Sequence, residues 1–266
     1  MTFRSWGLVG ATLLQIMQPE ATFHSAYRAL EARMKALAES DGDVFVPNTE
    51  PSGRVPYVLI CMEPSLGRMG RSKEEATSKL DAGFRNFYAS TEDFILHFCV
   101  RRYLCRPAQQ YYITDFSKGA MLVDRAGIAR RERYKRWYDL LTEEIDLVAT
   151  PDAHIIAVGN VVSQHLEQQG FRRSVTSVMH YSGQAAAARN AAVVGREDSF
   201  RAFSQLVALE DVIATAEDVV KEARVPKDIA DETLSRLARS ELTVSRKKLM
   251  FSYKVVFESV LASRQA

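Results

Sequence analysis

Glu63, Asp115 and His180 each stand just after a short apolar segment that is bounded by turn residues. Segments of this kind are typical of buried parallel strands. Ligands of an open parallel sheet bind outside the carboxyl ends of its strands, because those ends lie along one edge. If the three segments are parallel strands, two carboxylates and an imidazole share one cleft. Such side chains are the common proton donors and acceptors of enzymes.

Each of these residues also has a purely structural interpretation. A carboxylate before a proline, as in Glu63-Pro64, is often a loop or cap residue, and aspartate, as at Asp115, is a preferred helix N-cap. His180 can be a buried histidine with satisfied hydrogen bonds. Gly159, which follows a fourth apolar segment, permits a tight turn. The coincidence of such residues at four segment ends favours a functional site.

The apolar segments alternate along the chain with helical patterns. The predicted strands cover residues 57–61, 111–114, 154–158 and 174–179, and the predicted helices cover residues 20–39, 72–104, 127–148 and 161–169. Strands that alternate with helices indicate βαβ units, in which helices cover both faces of a parallel sheet. The sequence therefore predicts an α/β fold of three layers, αβα, around a central parallel four-stranded sheet.

The C-terminal part of the sequence differs, because no strand-like segment occurs between Ser199 and Arg264. Apolar residues at helical spacing, and Pro226 at a position typical of a helix start, predict three helices there. We therefore divide the chain into an N-terminal helical segment packed on the core, an α/β core and a C-terminal helical extension or appendage, with the boundaries 1–50, 51–196 and 197–266.

Three segments resemble motifs of the uracil-DNA glycosylase superfamily. Met62-Glu63-Pro64-Ser65 is similar to the first motif, a Gly-x-(Asp/Asn/Ala)-Pro-(Gly/Tyr) loop, and YITDFSKGAM resembles the strand end that the family writes Thr-Asn-x-x-Lys. HYSGQAAAAR resembles the second motif, His-Pro-Ser-(Pro/Gly) followed by an arginine. The resemblance extends over residues 55–195, and it implies a uracil-DNA glycosylase-like fold for the core.

The resemblance implies the removal of a base from DNA after its nucleotide has been flipped out of the helix. His180 would donate to the base O2 as negative charge develops there, and Glu63 would position or activate water and face the cationic sugar. Phe84 and Phe87 are candidates for the platform on which the base stacks, with packing in the core as the alternative. Met62 belongs to the base-recognition set. The motif residues assigned to DNA contacts are Ser65, Ser182, Gln184 and Arg189.

Asp115 stands where uracil-reading members of the family carry asparagine. An ionised aspartate only accepts hydrogen bonds, so it would repel O4 of uracil and suits an exocyclic amine such as N4 of cytosine. Because excision of ordinary cytosine would be toxic, we expect a modified cytosine that is distinguished by a 5-substituent. A hypermodified phage cytosine, excised in antiviral defence, is a concrete version of this expectation.

Three other functions remain as alternatives. The first is a conventional uracil-DNA glycosylase of base excision repair, and the second is a non-catalytic DNA-binding relative. A nucleotide-binding α/β protein is disfavoured, because no glycine-rich phosphate loop follows any predicted strand.

Charge is distributed unevenly along the 266 residues, although the formal net charge is only +2. Residues 101–136 contain ten Lys/Arg and three Asp/Glu. Such a basic segment neutralises phosphates and supports DNA as the partner, with a solvated helix face as the alternative. The residues of this segment assigned to DNA binding are Arg130, Arg131, Arg133 and Lys135.

The cysteine count argues against bound metal and disulfides. Cys61, Cys99 and Cys105 do not supply the four ligands of the iron–sulfur branch of the family, and no zinc-type Cys/His spacing occurs. We therefore expect no iron–sulfur cluster, no other metal and no cofactor.

The longest apolar run near the start is too short to span a membrane. We accordingly expect a cytoplasmic protein with no membrane partner.

Overall fold

Four strands form one sheet in which every neighbouring pair is parallel. The computed structural model describes residues 19–66, 72–107, 109–121, 128–182 and 185–263. The sheet order is β3-β2-β5-β6, and a second, two-stranded antiparallel sheet joins β1 to β4. The strands are β1 Val44–Phe45, β2 Val55–Cys61, β3 Tyr112–Asp115, β4 Gly119–Ala120, β5 Ala149–Val158 and β6 Val175–Val178. The predicted parallel four-stranded sheet is confirmed.

Ten α-helices lie in the described part of the chain. They are α1 Pro19–Ser40, α2 Lys73–Asp81, α3 Thr91–Tyr103, α4 Arg130–Val148, α5 Asn160–Gln168, α6 Ala186–Ala191, α7 Glu197–Leu206, α8 Leu209–Glu222, α9 Lys227–Ala238 and α10 Val244–Ser263. No helix within the described ranges is long and apolar enough to cross a membrane.

Residues 72–104, predicted as one helix, form two helices separated by residues 82–90. Gly83 follows α2 with a φ of +100°, which only glycine adopts readily. Ser90 then caps α3, because its side chain accepts from the N–H of Asp93 while the Asp93 carboxylate accepts from the N–H of Ser90. This capping box explains why a new helix starts there.

Alternate residues of the strands face opposite sides of the sheet. Leu59 and Ile156 pack with α3, α8 and α10 on one side. Val58 and Ile155 pack with α1, α4 and α5 on the other side. Because helices cover both faces, the strands are buried and almost continuously apolar. The arrangement is an α/β fold compatible with three αβα layers.

The C-terminal helices share the core of the sheet instead of forming a separate appendage. Tyr253 and Phe257 of α10 are fully buried in the cluster that contains Leu59. The same helices touch the loop 82–90, since a Cβ atom at Gly83 would lie 2.5 Å from Cγ of Pro226. The predicted helices after residue 197 are present, but they serve as part of one layer of the α/β structure.

The strand connections diverge at the carboxyl edge of the sheet. From β2 the chain moves to β3 on one side, whereas from β5 it moves to β6 on the other side. Ligands of open α/β sheets bind where the connections diverge in this way. The divergence lies between β2, which leads to Glu63, and β5, which leads to Gly159.

Candidate functional site

The register of the parallel strands brings the predicted residues to the same edge of the sheet. Cys61 at the end of β2 pairs with Asp115 at the end of β3, and Val158 of β5 pairs with Val178 of β6. Main-chain bonds hold the first two ends together, because the N–H of Phe116 donates to the carbonyl of Cys61 at 2.9 Å. Glu63, Asp115 and His180 therefore all project from this edge.

Glu63 is held by donors from the first turns of α4. Arg130 donates to its Oε1 through Nε at 3.0 Å and through a terminal nitrogen at 2.6 Å. The Tyr134 hydroxyl donates to its Oε2, and Arg133 lies 3.9 Å from Oε1. Residues three and four apart on a helix share one face, which places these side chains together. The Glu63 side chain is 4% exposed, so the clamp fixes the direction of both carboxylate oxygens.

Packing keeps the Tyr134 ring in place. The ring stacks on Phe116 with centroids 4.1 Å apart and meets the edge of His165 at 4.9 Å. Burial, together with the neighbouring Glu63 charge, raises the pKa of Tyr134 well above its ordinary value. Its hydroxyl therefore remains protonated and donates to Glu63 at any physiological pH.

Asp115 is only 3% exposed and accepts a hydrogen bond from the Asn86 amide nitrogen. Burial raises its pKa well above the ordinary value, and the Glu63 charge acts in the same direction. Lys118 and the Asn86 bond act in the opposite direction. A raised pKa favours the neutral carboxyl, which has one donor and one acceptor. Burial thus shifts Asp115 toward the neutral form and away from the acceptor-only form expected from the sequence.

The ring of His180 has a defined tautomer. The N–H of Ser182 donates to its Nδ1 at 3.0 Å, so in the neutral ring the proton sits on Nε2 and that nitrogen is a donor. The ring stacks on Tyr181 with centroids 4.5 Å apart. Gly159 has a φ of +108°, and a Cβ atom there would lie 3.2 Å from Cβ of His180. The glycine thus serves both the turn and the close approach of the histidine.

Arg189 acts inside the protein, in contrast to the predicted contact with DNA. It is 7% exposed, and its guanidinium donates to the carbonyls of Tyr181 at 2.6 Å and Ser182 at 2.7 Å. It also donates to the Ser245 hydroxyl of α10 at 3.0 Å. These bonds fix the loop that carries His180. Gln184, the other residue predicted in this loop to contact DNA, lies outside the described residues.

The basic residues of α4 divide between the interior and the surface. Arg133 is 6% exposed and directs a nitrogen to the sulfur of Met121 at 2.9 Å, so it too differs from the predicted surface contact. Arg130 is partly exposed beside Glu63. Arg131 and Lys135 are exposed.

The two phenylalanines predicted as a base platform occupy different places. Phe84 is buried in a small apolar cluster with Val46 and Leu66. Phe87 is buried in the main core and has a φ of 67°, a conformation that costs a non-glycine residue about 1–3 kcal/mol and is concentrated at functional sites. Phe87 also lines a cavity of about 610 Å³ beside the edge strand β3. Phe87 is therefore better placed than Phe84 to serve as the predicted base platform.

The remaining motif residues contribute mainly through their backbone. The carbonyl of Met62 accepts from the N–H of Phe116 at 2.9 Å, and its side chain is half-buried against the α1–α4 side of the sheet. Ser65 forms a single β-bridge with Met121 and is half-buried. Both residues shape the loop that presents Glu63.

A buried charge pair lies beside Asp115, and the pairing of its two residues has no signal in the sequence. Lys118 donates to the Glu144 carboxylate and, at 2.8 Å, to the Thr114 hydroxyl. The Tyr112 hydroxyl also donates to Glu144, at 2.7 Å. Lys118 and Glu144 are 26 residues apart, and their side chains are 3% and 2% exposed. Only the tertiary fold brings them together.

In the described part of the chain, no group of three or more His, Cys, Asp or Glu is placed to hold an ion. Cys61 and Cys99 are buried free thiols, and Cys105 is half-buried.

Comparison with protein-family models, with curated proteins and with solved structures finds no match to this chain. The proposal of a function therefore rests on the geometry of the site.

Proposed function

We propose that this protein is a DNA glycosylase that flips out a pyrimidine nucleotide and hydrolyses its N-glycosidic bond. The observation that carries the proposal is the placement of Glu63, Asp115 and His180 at the carboxyl ends of three strands of one parallel sheet. The order of the motifs adds support, and on this proposal residues 55–195 form a uracil-DNA glycosylase-like core.

His180 and Glu63 have complementary tasks in this reaction. The departing pyrimidine gathers negative charge at O2, and the Nε2–H of His180 is the donor that stabilises it. The sugar becomes cationic, and the carboxylate of Glu63 faces it and positions the attacking water. Tyr134 and Arg130 act through Glu63 and are positioning residues. Arg189 acts in the same way through the loop that carries His180.

Asp115 reads the Watson–Crick edge of the base. A neutral carboxyl accepts from N4 of cytosine with one oxygen and donates to N3 with the other. The same neutral carboxyl fits uracil when the two oxygens exchange roles, which supports a conventional uracil-DNA glycosylase as the second candidate. We favour a modified cytosine, because its N4 amine donates to Asp115 in either protonation state, whereas O4 of uracil fits only the neutral carboxyl.

DNA is the proposed partner on the side of α4. Arg131 and Lys135 are exposed on the helix that also supplies the clamp of Glu63. Contacts of such residues with phosphates position a protein on DNA and weaken with added salt.

Mass spectrometry of bases released from oligonucleotides tests the proposal. The panel contains uracil, cytosine and 5-substituted cytosines in one sequence context. We expect release of a pyrimidine, abolished by Glu63→Ala and by His180→Ala with DNA affinity nearly unchanged. Glu132→Ala, an exposed carboxylate in the first turn of α4, is the matched control and should retain activity. Failure to release any base, or full activity of Glu63→Ala, would refute the proposal.

A further inference from the structure

The cavity of about 610 Å³ lies beside the edge strand β3, and one residue of its lining, Asn86, donates a hydrogen bond to Asp115. Its walls come from the loop 82–90, from α3, from the chain that leads into β3 and from the end of α8. Pockets of roughly 300–1,000 Å³ hold drug-sized ligands, so the space exceeds what a pyrimidine ring needs. The lining of the cavity includes Asn86, His97, Tyr111, Gln110 and Ala223.

The inner wall of the cavity is polar but uncharged. Burial, and next the Arg101 charge, lower the pKa of His97 to about 3, so its ring is neutral. The ring is bonded on both sides, with Nδ1 2.6 Å from the Tyr111 hydroxyl and Nε2 3.2 Å from the carbonyl of Phe87. A carbonyl only accepts, so Nε2 donates to it and Nδ1 accepts from Tyr111. These two hydrogen bonds therefore fix the orientation of the His97 ring in the wall.

Two of the charged groups that line the cavity, Arg101 and Glu50, are paired within the protein, whereas a further one, Arg106, is exposed. Arg101 donates to Glu222 and, at 3.3 Å, to the Tyr111 hydroxyl. Glu50 lies 2.6 Å from His24. Buried or half-buried charges that already have partners do not call for a charged ligand. The wall formed by His97 and Tyr111 is accordingly suited to a neutral group with several hydrogen-bonding atoms.

Asn86 connects the cavity to Asp115. Its amide nitrogen donates to Asp115 Oδ2, and its amide oxygen accepts from the N–H of Phe87 at 3.0 Å. Both ends of the amide are thus assigned, and the side chain forms a wall shared by the cavity and the reading carboxyl. A base that is read at Asp115 through N4 therefore lies next to the cavity.

The position of C5 in the cytosine ring explains why the closeness of the cavity to the reading site matters. C5 is the ring atom next to C4, which carries the N4 amine, so a substituent on C5 leaves the ring beside N4. We propose that the cavity receives an uncharged, hydroxyl-bearing substituent on C5 of the flipped cytosine, with Asn86 as the residue that separates it from the reading site. This inference rests on the proposed function and names the substrate class of the same site.

The first test compares duplexes that differ only in the group on C5 of one cytosine. The groups are hydrogen, methyl, hydroxymethyl and hydroxymethyl that carries a hexose. We expect single-turnover release to be faster for the hexose-bearing base than for the methylated base by about tenfold or more. An equal or slower rate for the largest group overturns the inference while the proposed function stands. Failure to release any pyrimidine, uracil included, overturns both.

The second test fills the cavity without touching the groups that act on the sugar. Ala223→Trp introduces a large ring from the end of α8, and Gln110→Trp does so from the chain before β3. Ala202→Trp, exposed on α7 and not part of the cavity lining, is the matched control.

We expect both cavity variants to slow release of the hexose-bearing base by about tenfold or more. Release of the smallest base that the wild-type protein excises should stay unchanged, which shows that the variants fold. Binding of the free hexose-bearing nucleoside, measured as a shift in Tm, should also be lost in both variants but not in Ala202→Trp. Equal loss for every substrate, or no loss for the largest, contradicts the inference.

Discussion

Replacement of Tyr134 by phenylalanine removes one hydroxyl from the clamp of Glu63 and leaves the ring in place. The ring is fully buried and stacks on Phe116 at 4.1 Å, and phenylalanine keeps this stack. The hydroxyl donates to Glu63 Oε2, and the Glu63 side chain is 4% exposed. Tyr134→Phe therefore isolates the free-energy contribution of a single buried hydrogen bond to a carboxylate.

The magnitude depends on the burial of both partners. A hydrogen bond to a charged group contributes about 1.5–3 kcal/mol, and water cannot easily replace it in a closed site. We expect Tyr134→Phe to lower the free energy of unfolding by about 2 kcal/mol. In a protein of this size each kcal/mol lost lowers Tm by roughly 2–4 °C. Because the pKa of Tyr134 is raised well above its ordinary value, the loss should be equal at neutral and mildly alkaline pH.

Urea denaturation and single-turnover excision measure the two consequences of the change. In a double-mutant cycle with Glu63→Gln, the two substitutions should show a coupling energy of about 1–2 kcal/mol. Excision by Tyr134→Phe should be slower at saturating protein, because the carboxylate is less well directed. Tyr138→Phe, one turn later on α4 and half-buried, is the control.

Two results would refute this reasoning. The first is additivity of Tyr134→Phe and Glu63→Gln within about 0.5 kcal/mol, which is the behaviour of residues that do not interact. The second is an equal effect of Tyr138→Phe on stability and on excision, which would make the loss a general property of the helix.

Three further substitutions have defined outcomes. Burial raises the pKa of Asp115, so the native state binds its proton more tightly than the unfolded chain, and stability falls as pH rises from the ordinary carboxyl pKa to the raised one. Asp115→Asn should remove this loss in urea titrations across that range, change little below the ordinary carboxyl pKa, and shift excision toward uracil. Arg189→Ala should slow excision by loosening the loop of His180 while DNA affinity in binding titrations stays nearly unchanged; a loss of affinity alone would restore it as a DNA contact. Lys118→Met should destabilise the protein by about 3–5 kcal/mol, because it leaves the Glu144 charge buried and unpaired. Urea denaturation should show most of this recovered by the added change Glu144→Leu, and a double variant less stable than Lys118→Met would argue against it.

The strands and the carboxyl edge were predictable because their signals are local. A short apolar run between turn residues predicts a buried strand wherever it occurs, and parallel strands place the residues at their carboxyl ends on one edge. The site residues Glu63, Asp115 and His180 could be proposed from this rule and from the resemblance of their segments to family motifs.

The partners of these residues were not predictable, because tertiary packing alone brings them together. Asn86 and Asp115 are 29 residues apart, and Arg130 and Glu63 are 67 apart. An arginine in a sequence has a known charge but no known direction, so Arg189 is predicted as a DNA contact although it points inward. The loop 82–90 is predicted as helix because its apolar residues have helical spacing, whereas contacts with α9 and with β1 decide its path.

The burial of the sheet by α8 and α10 has a consequence for the synthesis of the protein on the ribosome. The strands and α3 leave the exit tunnel first, and the apolar face with Leu59 and Ile156 is covered only by α3 until the later helices emerge, several seconds later at about 5–20 residues per second. A nascent chain halted in that interval is exposed to aggregation and lacks the Ser245 contact that steadies the loop of His180. Under the proposed function, partly made chains would therefore be poor at removing bases from the genome of the cell that makes them.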